Sequence, residues 1–303
     1  MSRSIKAHLL LVLMTLIWGS TFVLIKKALE DSSPLVLNAV RMVLAGALLA
    51  LYYRKQLQVM TRPALRSGIL VGIFLYAGYA FQTAGLALTT PSKSAFLTGS
   101  STVLVPLLLV IFWRAKIHPW RVTGIALAFV GLFLMTVPAG RAGLADFANV
   151  NRGDVLSVGC AIGFAFQIVL LGRASQRFPF EQIAVLQVGA AAVLMVLTAP
   201  ILEQPRFYLS PVVIWTVLVT GILGTAVAFT VQAWAQQFTP ATHTALIFNM
   251  EPVFAWLTSF IVLKERLGLR AGLGAAMILC GVLISELLGQ VDKPETAQEV
   301  AQA

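Results

Sequence analysis

The chain has 303 residues, of which 58% are hydrophobic and 11% charged, with a mean hydropathy of +0.87. A soluble domain cannot hide that much apolar surface, so composition excludes a soluble globular protein and predicts an all-α integral membrane protein. The formal net charge of +10 does not call for nucleic acid as a partner, because Lys and Arg cluster at the ends of apolar runs, where they orient spans and meet headgroups of the lipid bilayer.

Ten runs are long and apolar enough, or nearly so, to span as helices: Ala7–Lys27, Pro34–Tyr53, Ser67–Leu88, Ser94–Trp113, Trp120–Val137, Gly153–Arg173, Phe180–Leu202, Val212–Gln236, Thr242–Leu263 and Arg270–Leu288. The first is flanked by Arg3 and Lys6 and lacks a small-residue cleavage site, so it reads as a retained span. The sequence thus divides into a first five-helix unit (1–137), a connecting loop (138–152), a second five-helix unit (153–288) and a polar tail (289–303) that reads as disordered and cytoplasmic.

Polar side chains inside spans face a partner or a watery cavity, because lipid offers them nothing. In chain order, the first run places Trp18 on one face with Thr15 and Phe22, too deep for an interfacial belt. Arg41 in the second run either snorkels to a headgroup or pairs with an acid inside. In the third run Tyr76, Tyr79 and Gln82 recur every three residues, with Thr83 alongside. The fourth run offers Thr98, Ser101 and Thr102, the sixth Gln167. In the eighth, Thr225, Phe229, Gln232 and Gln236 follow at helical spacing. Each amide or hydroxyl could instead bond helix to helix, and the pairs Gly68–Gly72 and Gly159–Gly163 read as sites of close helix approach.

The ninth run holds Asn249, Glu251 and Pro252. Glu251 lies nine residues from Thr242 and twelve from Leu263, about 13 Å from one end at a rise of about 1.5 Å per residue. An ionised acid facing lipid at that depth costs about 2.5–3.5 kcal/mol on insertion scales, so Glu251 must face the protein interior. Pro252 cannot complete the helical ladder and bends the helix beside it, which makes the position a candidate gate. A binding role, proton coupling and a purely architectural hinge all remain open for Glu251. The cysteines, Cys160 and Cys280, both fall within spans, no CxxC is present, and His8, His118 and His243 sit near run ends. Neither a metal site, a cofactor nor a disulfide is expected, and without a nucleophile–base pair at mid-depth the chain does not read as an enzyme.

The sequence repeats itself. At an offset of 150, Gly124 falls on Gly274, Gly131 on Gly281, Gln82 on Gln232 and Ala95 on Ala245; at 145, Pro34 falls on Pro179 and Ala39 on Ala184. Five spans per half is an odd number, so the second half enters the membrane upside down, as in alternating-access transporters. Charge agrees. In the first half the side of the N-terminus carries Arg3, Lys6, Arg54, Lys55, Arg62, Arg66, Arg114, Lys116 and Arg121, and the opposite side Lys26, Lys27 and Lys93. That asymmetry predicts cytoplasmic termini in a cell inner membrane. The second half reverses the bias, with Arg141, Arg152, Arg206, Lys264, Arg266 and Arg270 on the far side against Arg173, Arg177 and Lys293.

The stretches "LIWGSTFVLIKKAL", "LTTPSKSAFLTGSSTVLVPLL" and "TPATHTALIFNMEPVFAWLTSFIVLKERLGLRAGLGAAMILCGV" resemble the EamA-type branch of the drug/metabolite transporter superfamily, over about residues 7–288. The most specific piece is the E-P-x-x-A…E-R-L…G-x-x-x-I-x-x-G run from Glu251 to Gly281. The resemblance implies two inverted five-helix repeats around a central cavity lined by helices 1, 3, 4, 6, 8 and 9, and export of small metabolites or amino acids. The first half departs from the pattern: Ala115 stands where Glu265 supplies an acid in the second, and Gly163 matches Trp18. The expected lining is rich in aromatic, amide and hydroxyl groups with one acid and few cations. It suits an aromatic or apolar amino acid, or a lipophilic amine held on an aromatic face. The substrate-binding candidates are Trp18, Tyr76, Tyr79, Gln82, Thr98, Gln167, Phe229, Gln232, Asn249 and Glu251, with Pro252 as the gate. The other readings are a membrane scaffold or receptor. A monomer is favoured.

Overall fold

The computed structural model describes residues 2–89, 91–137, 140, 145, 149–263 and 268–289. Most of the expected connecting loop, Glu265 and nearly all of the tail lie outside the described residues. The chain is all-α. In order the long helical elements are α1 (Arg3–Ala28), α2 (Pro34–Tyr52), α3 (Arg62–Leu88), α4 (Pro91–Gly99 and Ser101–Trp113), α5 (Pro119–Thr136), α6 (Arg152–Arg177), α7 (Phe180–Leu202), α8 (Pro211–Ala235, including a π-helical stretch), α9 (Ala241–Phe248 and Glu251–Leu263) and α10 (Leu269–Leu288). Among the described residues, nine helices are long and apolar enough to cross a membrane. The remaining expected run, in α9, is helical too but split into segments of 8 and 13 residues.

Local chemistry starts these helices. Pro sits in the first turn of α2, α3, α5 and α8, where its missing N–H is not needed. Thr61 and Ser210 cap their helices by accepting from Ala64 and Val213 backbone N–H groups, and Asn151 with Asp154 forms a full capping box on α6. Large apolar residues such as Leu9, Leu13, Phe112, Val193 and Leu197 remain exposed on outer faces, which is where lipid replaces a core.

The helices pack where glycine removes the side chain. A Cβ on Gly124 would lie 2.5 Å from the Gly281 carbonyl oxygen, and one on Gly131 2.5 Å from that of Gly274, with the reciprocal contacts also present. Gly124 and Gly131 are the repeat equivalents of Gly274 and Gly281. Each therefore packs on the equivalent of the other, which is what a two-fold axis between α5 and α10 produces. α3 meets α6 the same way, with the Cβ of a substituted Gly163 falling 2.8 Å from the Gly78 nitrogen, and meets α7 at Gly72, 2.6 Å from the Ala190 Cβ.

Among the described residues, three helices are irregular. α8 contains a π-helical stretch, Ile222–Val227. α4 breaks at Ser100, and α9 breaks at Asn249–Met250. The sequence predicts a bend at Pro252; instead the helix stops and restarts, with Pro252 second in the new segment, where a proline is tolerated. The two breaks are repeat equivalents, since Gly99 plus 150 is Asn249. They also touch: a Cβ on Gly99 would sit 3.4 Å from Asn249 Oδ1, and Thr102 Oγ1 donates to the Ala245 carbonyl at 3.2 Å.

Candidate functional site at the centre of the bundle

Aromatic rings from five helices form one chain through the interior. Trp18 (α1) meets Phe248 (α9) with ring centroids 4.9 Å apart and Phe229 (α8) at 5.9 Å; Phe229 meets Tyr79 (α3) at 6.4 Å, and Tyr79 meets Phe164 (α6) at 5.3 Å. Trp18 is fixed by its indole N–H, which donates to the Gly224 carbonyl at 2.8 Å. That carbonyl belongs to the π-helical stretch, where the ladder is displaced and oxygens become available to outside donors. Trp18, Tyr79, Phe164 and Phe248 nonetheless keep accessible surface, whereas Phe229 is buried.

Two charges flank this wall. Arg41 is 7% exposed, and its guanidinium carbon lies 4.5 Å from the Tyr79 ring centroid. It does not snorkel but packs over the Tyr79 ring, and among the described residues it has no ion pair and its Nε has no hydrogen-bond partner. A cation over an aromatic face in a desolvated site is held by the ring quadrupole, by about 2 kcal/mol. Glu251 faces inward. Its carboxylate acts electrostatically on Tyr79 of α3 and on Cys160 of α6, which is fully buried. Its backbone carbonyl packs on α1, 2.8 Å from where a Cβ on Gly19 would be. Tyr79 thus lies against the Arg41 guanidinium and within electrostatic range of Glu251.

The other expected residues divide. Thr98 lies at this centre, its Oγ1 3.6 Å from Cys160 Sγ. Asn249 is buried at the α9 break, and its Nδ2 has no hydrogen-bond partner among the described residues. Tyr76 packs with Tyr79 against the α2 and α7 residues Leu35, Ala39, Met195 and Ala199. Gln82 is half-buried three residues beyond Tyr79. Gln167 and Gln232 are 2% and 1% exposed and bonded to each other, with Gln167 Nε2 also donating to Gln187 Oε1 at 3.0 Å. This three-amide knot ties α6, α7 and α8. Repeat equivalence placed Gln82 and Gln232 alike; the structure gives them different surroundings.

Sequence reasoning missed three contributors and left a fourth unplaced. Gln187 was a polar residue in an apolar run and could have been flagged by that alone. Phe164 and Phe248 carry no signal among so many apolar residues. Arg41 was noticed but not placed, because depth along a helix does not say which face it occupies.

The EamA-like transporter family model matches residues 5–137 and again residues 151–287. The chain belongs to the EamA-like transporter family. This EamA-like protein is 33% identical over 287 residues to an uncharacterized transporter of Archaeoglobus fulgidus, covering 94% of this chain and 87% of that one. It is 22% identical to the uncharacterized transporter YoaV of Bacillus subtilis, across 93% and 97% of the two chains. It is 21% identical to the S-adenosylmethionine/S-adenosylhomocysteine transporter of Chlamydia trachomatis, across 92% and 89%. A solved crystal structure shares the fold, with a TM-score of 0.77 at 20% identity over 95% of this chain and 99% of its own. The EamA-like chain is therefore a multi-pass membrane transporter in a lipid environment, acting on a small molecule.

Proposed function

We propose that the protein is a secondary transporter of the inner membrane that exports small zwitterionic metabolites, aromatic or apolar amino acids above all, by alternating access through a cavity centred on Tyr79. The observation that carries this reading is the placement of Arg41 and Glu251 about the aromatic wall. A guanidinium suits a carboxylate, a carboxylate suits an ammonium, and the rings of Trp18, Phe164 and Phe248 suit an apolar side chain. The relative that carries S-adenosylmethionine supports the class, since that molecule is an amino acid bearing a cation and an aromatic base. Outward flux and cytoplasmic termini rest on the family resemblance and the Lys/Arg bias. Proton coupling would run through Glu251, and Pro252 with the Asn249–Met250 break would serve as the gate.

The competing reading is efflux of lipophilic amines, which the aromatic chain and Glu251 would serve without Arg41. Uptake by inverted vesicles of labelled phenylalanine or of a labelled lipophilic amine, each supplied in the medium, separates the two. Arg41→Gln should lower phenylalanine uptake at least tenfold, the scale on which a lost charge-assisted bond of about 1.5–3 kcal/mol acts, and leave amine uptake alone. Amine uptake with no phenylalanine uptake in the unaltered protein would discard the amino-acid reading.

A further inference from the structure

At the end of the bundle that holds the N-terminus, far along α9 from Glu251, three helices bring together side chains that the central site does not use. His8 lies early in α1, His243 is the third residue of α9, and Glu286 is two residues from the end of α10. His8 Nδ1 is 2.6 Å from Glu286 Oε1, and His243 Nδ1 is 3.1 Å from Oε2. One donor atom from each residue lies within 4.8 Å of the others. The rings are tilted, with centroids 6.0 Å apart. The side chains of His243 and His8 are 3% and 15% exposed, and that of Glu286 is 35% exposed.

We propose that His8, His243 and Glu286 form a binding site for a divalent transition-metal ion of the zinc class, which would join α1 of the first repeat to α9 and α10 of the second. Two imidazoles and one carboxylate, with an open fourth position for water, are a ligand set that suits zinc. Calcium and magnesium need six or more oxygens and are not served by it. Bonds of about 2.0–2.2 Å in a tetrahedron place ligand atoms about 3.4 Å apart, so the two His–Glu distances of 2.6 and 3.1 Å need to open by less than an ångström, while the donor atoms, all within 4.8 Å of one another, need to close by at most about 1.4 Å. The Nε2 atoms of both histidines have no hydrogen-bond partner among the described residues. No second bond therefore pins either ring; coordination through Nδ1 leaves a neutral ring with its proton on Nε2, and a doubly protonated ring releases its Nδ1 proton to solvent, so binding strengthens as pH rises. The basic residues of the first α1 turn do not compete for the carboxylate: Arg3 lies over the Phe238 ring and Lys6 over the Trp234 ring. The partial exposure of Glu286 leaves an entry path and room for the water.

Purified full-length protein, stripped with a chelator, is titrated with zinc chloride and separately with cobalt chloride. The expected result is one equivalent bound, the visible absorption of tetrahedral cobalt, affinity that rises with pH, and no competition from magnesium. A melting temperature raised by zinc should accompany it, since the ion binds only the assembled site. Glu286→Gln and His8→Ala should each weaken binding by at least about tenfold, the scale seen when even an outer-shell partner of a metal is lost, while His118→Ala changes nothing. If His243→Ala fails to fold, the more exposed His8 and Glu286 still decide the matter. Absence of saturable binding, or binding that these variants leave unchanged, overturns the site and leaves a hydrogen-bonded clasp.

Discussion

Glu251 and Arg41 are the two residues whose cost of burial has to be met locally. Arg41 is met by the Tyr79 ring. Glu251 faces the same interior, beside a helix break that leaves backbone groups outside the regular ladder. Glu251→Gln keeps shape and hydrogen bonding but removes the charge. The variant should insert normally and lose uphill transport or its pH dependence, read in proteoliposomes with an imposed proton gradient. A fully active Gln variant with an unchanged pH profile would instead assign the residue to the hinge. In that case Glu251→Leu, which also deletes the bonds, should destabilise by about 1–3 kcal/mol. The glutamines separate in a related way. Gln232→Leu breaks the amide knot with Gln167 and should lower stability by about 0.6–1.7 kcal/mol, the range for polar contacts within a membrane. Gln82→Leu, on a half-buried side chain, should leave the melting temperature in place and lower transport if the residue lines the path.

Among the elements, the irregular ones converge on the centre: the π-helical stretch of α8 receives the Trp18 bond, and the breaks of α4 and α9 adjoin at Gly99 and Asn249. Such breaks leave backbone groups free of the ladder, which membrane proteins tolerate only where protein or water can take them. The regular elements do the opposite work. α5 and α10 pack through Gly124, Gly131, Gly274 and Gly281 with no room for a methyl group. Gly131→Ala and Gly274→Ala should each cost about 1–3 kcal/mol, the penalty of overpacking, measured by unfolding in detergent. Trp18→Phe keeps the ring and deletes the donor to Gly224; a change in substrate selectivity with little loss of stability would mark the tryptophan as part of the binding wall.

On the scale of the molecule, the cross-pairing of glycines between α5 and α10 and the equivalence of the two breaks are the marks of an inverted repeat. The positions Ala115 and Glu265 are repeat equivalents and should fall on opposite faces. A cysteine at 115 should react with an impermeant reagent from the cytoplasm, and one at 265 from outside; labelling of both from one side would remove the inverted arrangement. Both termini should be cytoplasmic, so a C-terminal reporter that works only in the periplasm would contradict the orientation. The meeting of His8, His243 and Glu286 already places the start of α1, the start of α9 and the end of α10 at one end of the bundle.

Much of this was legible in the residues alone. Length and hydropathy dictate helical spans because a bilayer leaves backbone groups no other partner. Repeat offsets predicted inversion because five is odd, and Glu251 had to face inward because lipid cannot solvate it. Tertiary structure decided the rest, for two physical reasons. Helical faces are relative, so only packing could say that Arg41 turns to Tyr79 rather than to a headgroup, or that Gln232 bonds Gln167 while its equivalent Gln82 does not. Contacts between residues far apart in sequence also leave no periodic trace. Gly224 offers its carbonyl to Trp18 across 206 positions, and two histidines that looked like isolated run-end residues share one carboxylate.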